Sequence, residues 1–97
     1  MKTNEYIPAP IDTAAVHLPR EIEELTEALA RNTHNHWARQ RMADGWREGE
    51  ARDDARLLHP SLIPYEDLPE SEKNYDRTTA METLKAILAL GFRITRK

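Results

Sequence analysis

Six prolines and three glycines divide this chain of 97 residues, and their placement leaves two long intervals in which a helix can run uninterrupted. Pro8, Pro10 and Pro19 open the chain, Gly45, Gly49, Pro60, Pro64 and Pro69 punctuate its middle, and Gly91 stands near its end. Pro19 and Pro69 suit a first helical turn, where the missing N–H would have no partner anyway. Acidic residues follow each of them (Glu21, Glu23 and Glu24; Glu70 and Glu72) and favour the positive end of a helix dipole. Gly45 and Gly91 suit the left-handed conformation that stops a helix. The fold class expected is a small, mainly α single domain. Its two principal helices lie near residues 19–44 and 69–90, with short strands and an extended arm around them.

Periodicity indicates which faces those helices bury. In the first, Ile22, Leu25, Leu29, Thr33, His36 and Gln40 form one stripe that begins apolar and turns polar. Ala30, His34, Trp37 and Arg41 form a second stripe, rotated by roughly 80–100°. In the later helix Ala80, Met81, Leu84, Ile87 and Leu88 make the most continuous apolar stripe of the chain. The packing expected is Leu25 and Leu29 against Met81, Leu84 and Leu88. Residues 1–18 read as an extended arm docked through Ile7, Ile11 and Val16, with a local side-chain turn at Asp12-Thr13, and residues 19–97 as the helical repeat. In the long connection, Leu57, Leu58, Leu62 and Ile63 are expected to reach the core, and Leu62-Ile63 to form a short strand. Phe92-Arg93-Ile94-Thr95 alternates as a second short strand would, and Phe92 is placed to fold back on Leu88.

Composition excludes several classes of function. A net charge of −3 argues against a general nucleic-acid binder. The absence of cysteine removes disulfides, thiolate metal sites and thiol nucleophiles together. The apolar run Ala86 to Leu90 is too short to cross a bilayer, and Met1-Lys2-Thr3-Asn4-Glu5 opens no signal peptide, so a cytoplasmic location is expected. No metal site is expected: His34 and His36 point to opposite sides of a helix, and His17 and His59 show no ligand spacing. Ser61 and Ser71 lie in no nucleophile-elbow setting, and no glycine-rich loop leads into a helix, so an enzyme is not expected, nor a cofactor. Arg52, Asp53, Asp54 and Arg56 read as a structural ion-pair cluster, and Glu72, Lys73, Asp76 and Arg77 as a solvated helix face.

The stretch from Asn32 to Arg41 places Trp37 among histidines and arginines, and Trp46 follows at the end of that segment. A flat apolar ring flanked by cationic donors suits a ligand with a π-system and negative charge, such as a nucleotide. The alternative is that both tryptophans are core residues.

Several ordered segments point further. Tyr6-Ile7-Pro8-Ala9-Pro10-Ile11-Asp12-Thr13, Leu18-Pro19, Leu29 to Trp37 and Gly45-Trp46 with Gly49 come first. Arg52-Asp53-Asp54, Leu62-Ile63-Pro64-Tyr65, Glu72-Lys73-Asn74-Tyr75-Asp76 and Thr83-Leu84-Lys85 through Leu90-Gly91-Phe92 follow. Their order and spacing resemble the RyR domain over about residues 6–95. That repeat occurs in tandem pairs in the cytoplasmic shell of animal ryanodine receptors and as short proteins or fusions in bacteria and phages.

The resemblance implies a mostly helical fold in which two repeats pack about a pseudo-twofold axis, so that a single repeat completes the pair as a homodimer. It implies a cleft between repeats that holds an adenine nucleotide on the helix tryptophan, which carries over to Trp37 with His34 and Arg41 beside it. It also implies, for bacterial members, sensing of a nucleotide-derived signal. No pore, membrane span or calcium site carries over. Two readings stay open: a module binding a nucleotide-derived small molecule, and an interaction domain docking a protein partner through the Trp37 helix face. They differ in whether Trp37 lies in a concave pocket or on a closed contact.

Overall fold

Pro19 starts the first helical segment. A computed structural model describes residues 5–97, and in it the carbonyl of Pro19 accepts the N–H groups of Ile22 and Glu23 at 2.9 and 3.0 Å. The short helix α1, Arg20–Glu23, is separated from α2, Leu25–Ala43, by Glu24. The single helix expected over 19–44 is therefore interrupted. At Glu24 the ψ of −19° tightens the backbone toward 3₁₀ geometry. Two two-residue strands follow, β1, Arg47–Glu48, and β2, Leu58–His59, then a 3₁₀ turn, Tyr65–Asp67, and the helix α3, Glu70–Ala89. The domain is mainly α, with α2 and α3 packed on each other.

Both long helices end in the same way. Gly45 at φ +94° and Gly91 at φ +96° adopt the left-handed conformation. Gly45 N–H bonds the Met42 carbonyl at 3.0 Å and Trp46 N–H the Arg41 carbonyl at 2.9 Å. Gly91 N–H bonds Leu88 and Phe92 N–H bonds Ile87 in the same pattern, at 3.0 and 3.2 Å. These are Schellman closures, which satisfy carbonyls the helix leaves open. They differ in the residue that follows: Trp46 is buried, whereas Phe92 stays exposed rather than burying itself on Leu88.

The buried row runs at four-residue spacing from Ile22 on α1 through Thr26, Ala30 and His34 on α2, taking Ile22 from the first stripe and Ala30 and His34 from the second, while Leu25 is 43% exposed and Thr33, His36 and Gln40 face solvent. The reason is close approach. The small residues Thr26 and Ala30 let α2 come near α3 and leave room for Tyr65 and Leu68, which with Ala30 and the flanking Ile63 form the core cluster. On α3 the matching row is Leu84 and Ala80, both buried, with Met81 and Leu88 half-buried.

The connection between the helices has its own frame. β1 and β2 are parallel, with Arg47 opposite Leu58 and Glu48 opposite His59. Parallel strands generally need a longer crossover than residues 49–57 provide. This one closes because Asp53 and Leu58 exchange two backbone hydrogen bonds of 2.9 Å and Leu57 takes a left-handed φ of 58°. Gly49 faces Leu58 so closely that a Cβ there would lie 2.9 Å from the Leu58 Cβ. Leu62-Ile63, expected as a strand, is irregular: Pro60 and Pro64 bracket it and Leu62 N–H turns back to the His59 carbonyl. Residues 92–97 also form no strand, because the only ladder of extended strands among the described residues is β1 with β2.

Residues 1–4 of the expected arm, and most of the segment read as lacking a signal peptide, lie outside the described residues. The rest of the arm is extended up to Thr13, but its attachment is polar rather than apolar. Thr13 Oγ1 donates to Glu82 on α3 at 2.6 Å, and Asp12 Oδ1 accepts the Ala14 N–H at 3.0 Å. Ile7 is 80% exposed and Ile11 is exposed, leaving Val16, half-buried, as the one anchor of the three. Prolines at 8 and 10 restrict the backbone of this stretch and keep it out of a helix. No helix is long and apolar enough to cross a membrane among the described residues.

Candidate functional site

The row of four-residue steps on α3, followed backward from Leu84 and Ala80, reaches Asp76, Glu72 and Leu68. The corresponding row on α2 ends in His34, with Trp37 on its flank. Where these two rows diverge they leave a cavity of about 280 Å³ lined by His34, Trp37, Leu68, Glu72, Tyr75 and Asp76, and closed from the connection by His59 and Ser61. A larger groove of about 860 Å³ lies between the arm and the Thr78–Ala86 face of α3, but no aromatic or cationic side chain lines it. The smaller cavity is where the aromatic and titratable groups converge.

His34 is only 4% exposed, and its Nε2–H donates to the Ile63 carbonyl at 2.7 Å. That bond fixes the orientation of the ring. The His34 ring lies 5.6 Å from Trp37 and 6.2 Å from Tyr65. Trp37 meets His59 edge-on at 5.0 Å, and His59 in turn lies 6.2 Å from Trp46. His59 Nδ1 accepts the Ser61 backbone N–H at 3.0 Å, and Ser61 Oγ donates to Glu72 Oε2 at 2.7 Å. Burial, with the positive charges of Arg52 and Arg41 behind it, pushes the His59 imidazole below its ordinary range.

The sequence-based site residues therefore separate. His34 and Trp37 line the cavity. Arg41 does not: its guanidinium sits over the Trp37 ring at 5.8 Å and over Trp46 at 5.0 Å, behind the cavity wall. Arg52 covers Trp46 at 5.9 Å and pairs with Asp54 at 2.8 Å, which holds the Asp54 carboxyl below the usual carboxylate range. Asp53 accepts the Arg56 N–H at 3.1 Å and faces the Arg56 guanidinium at 3.7 Å. These pairs brace the turn between the strands and stand outside the cavity lining. Trp46, placed by the Schellman closure, is a packing partner for two arginines.

The other lining residues were not legible as a site. Glu72 and Asp76 read as a solvated helix face because they alternate with Lys73 and Arg77 along the helix, with Lys73 at i,i+3 from Asp76. Those cations turn elsewhere. Arg77 binds Glu27 at 2.6 Å and Glu70 at 2.9 Å, which ties α3 to α2, and Lys73 faces Glu70 at 3.5 Å. Among the described residues no hydrogen bond or ion pair engages the Asp76 carboxylate, and burial pushes its pKa up despite the opposing pull of His34. A usable signal existed: two acids continuing, by fours, a row that is apolar on both sides of them. The titratable residues do not converge on a metal-binding group among the described residues.

The site thus combines an indole, a phenol ring, two imidazoles, two carboxylates and the hydroxyls of Ser61 and Tyr75 around a concave space. Residues 6–96 match the model of the RyR domain family, and the chain is a member of that family.

Proposed function

We propose that the protein is a non-catalytic binding module whose α2–α3 cavity takes a small molecule with a planar ring, an adenine nucleotide or a derivative of one, with Trp37 as the stacking surface. The observation that carries this reading is that Trp37 lines a concave cavity instead of a closed helix–helix contact. The Nε2–H bond of His34 to the Ile63 carbonyl fixes a second ring beside that indole. Against a hydrolytic role stands the Ser61 hydroxyl, which is bonded to a carboxylate, while the nearest imidazole nitrogen accepts a backbone N–H.

Base-on-aromatic stacking is worth about 1–3 kcal/mol, so Trp37→Ala lowers affinity for a bound nucleotide by roughly 5- to 150-fold. A thermal-shift panel of adenine nucleotides, including cyclic and ADP-ribose-like species, identifies the ligand. Titration of wild type and Trp37→Ala with the best of them then tests the role of Trp37. Unchanged affinity in a folded Trp37→Ala protein removes the stacking role, and a panel without any stabilising nucleotide removes the ligand class.

A second reading concerns a partner protein, with a second copy of the chain as the partner. Exposed apolar residues favour it: Tyr6 and Ile7 on the arm and Leu90 and Phe92 after α3. The two readings are compatible, since none of these residues lines the cavity.

A further inference from the structure

The walls of the α2–α3 cavity hold two carboxylates, Glu72 and Asp76, and no lysine or arginine among the described residues. The neighbouring cations are committed outside the lining. Arg77 binds Glu27 and Glu70, Lys73 faces Glu70, Arg52 pairs with Asp54, and Arg41 lies over the two indoles. Glu72 accepts the Ser61 hydroxyl at 2.7 Å, which steadies the carboxylate and leaves its charge in place. Asp76 makes no hydrogen bond or ion pair among the described residues, and burial raises its pKa, as it does for a carboxylate held without a counter-charge. His59 adds little positive charge at neutral pH, because burial and the two arginines hold its imidazole toward the neutral form. Two π faces stand beside the carboxylates: Trp37, and Tyr75, which is 78% exposed and so marks the mouth. Carboxylates and aromatic faces around one concave space attract a positive charge and repel a phosphate.

We infer, resting on the planar-ring reading above, that the ring the cavity admits is a positively charged one, an N-substituted pyridinium, stacked on Trp37 with Glu72 and Asp76 as its counter-charges. Such a ring satisfies both halves of the lining at once. Its face packs on the indole, and its charge, spread over the ring, meets the carboxylates without a fixed hydrogen-bond geometry. A neutral ring of the same shape keeps the stacking but leaves Asp76 uncompensated. A compact ammonium meets the carboxylates but covers less of the aromatic surface around a space of about 280 Å³. An unpaired, half-buried carboxylate lowers the stability of the free protein, and a cationic ring removes that cost on binding. In a nucleotide that carries such a ring, the ring enters and the phosphates stay outside. Hydride reduction makes the ring neutral, so the cavity also separates the oxidised form of such a nucleotide from the reduced one.

The test is calorimetric titration of the full chain at pH 7.5. Its central pair is nicotinamide methylated on the ring nitrogen and m-toluamide, the neutral carbon isostere of that cation. Choline, inorganic phosphate and adenosine monophosphate complete the set. The methylated cation binds at least tenfold tighter than m-toluamide and tighter than choline, and phosphate neither binds nor competes. Asp76→Asn and Glu72→Gln each lower affinity for the cation by about five- to tenfold and leave m-toluamide unchanged, a split that general damage to the cavity does not produce. Asp76→Asn melts at an equal or higher temperature than wild type at the same pH, which separates loss of recognition from loss of fold. Equal affinity for the cation and its isostere overturns the inference, as does tighter binding of choline, competition by phosphate, or full cation affinity in both variants. Adenosine monophosphate that binds through Trp37 and is not displaced by the cation also overturns it, and leaves the proposed function standing. Failure of every ring compound and nucleotide to bind overturns both.

Discussion

His59 joins three parts of the structure: it packs edge-on to Trp37, faces Trp46, and receives the Ser61 N–H on Nδ1. Arg41, Arg52, Asp54 and Glu72 surround it, and its pKa in the folded protein lies below the ordinary histidine value of about 6.5. A depressed folded-state pKa means that the unfolded chain takes up the proton first as the pH falls. The contribution of His59 to stability is therefore fully present above about pH 6.5 and is lost as the pH drops through the lower folded value. Protonation also converts Nδ1 from acceptor to donor and breaks the bond to Ser61. The melting temperature of wild type declines between pH 7 and pH 5, and His59→Asn, which keeps an acceptor without the titration, flattens that decline. Equal slopes for the two proteins would place the acid sensitivity elsewhere. Asp76 works in the opposite sense: its raised pKa favours the folded state at low pH and opposes it once the carboxyl ionises, so Asp76→Asn melts at an equal or higher temperature than wild type at pH 7.

The two long helices meet through rows of four-residue spacing, Thr26, Ala30 and His34 on α2, continuing Ile22 of α1, and Ala80 and Leu84 on α3. Leu84 is a large apolar side chain in a row otherwise built of small or polar residues, so little around it can collapse into the space it leaves. Leu84→Ala accordingly costs about 2–5 kcal/mol, read as a shift of the urea midpoint at unchanged slope. A loss under 1 kcal/mol would mean that the α2–α3 contact rests on Tyr65 and Leu68 instead. Leu25, on the neighbouring stripe, was expected to share this role. Hydrophobic spacing alone could not choose between the two stripes, because the first carries larger apolar residues and the second carries the small residues that close approach requires. The helix limits, by contrast, were legible to within a residue or two from Pro19, Gly45, Pro69 and Gly91, whose effects on the backbone are local.

Considered as a whole, the chain is less compact than its length calls for. Its radius of gyration is 16.9 Å, against about 12–13 Å for a folded domain of this size. The arm projects with Tyr6 and Ile7 exposed, and the far end carries Leu90 and Phe92 exposed as well. Exposed apolar ends on an extended body are what a pairing surface provides. Sedimentation at micromolar concentration yields a species of about twice the 11.2 kDa chain mass. Ile7→Asp combined with Phe92→Asp shifts it to the monomer without lowering helix content. A purely 11.2 kDa species for wild type would remove the homodimer.

Local chemistry settled the parts of this protein that depend on neighbours in sequence. These are the two helices, their proline starts and glycine stops, and the ion pairs bracing the turn around Asp53 and Asp54. The ordered segments along nearly the whole chain also carried the family. What only the tertiary structure decided is how the elements face one another. The rotation of α2 turned Leu25 outward and His34 inward. The pairing of Arg77 with Glu27 tied α3 to α2 across the helix contact. The position of Trp46 against Arg41 drew that arginine out of the cavity lining. Each of these outcomes is a competition between a near partner in sequence and a better-placed one in space. Spacing along a helix identifies the first, while only the packed helices supply the geometry of the second.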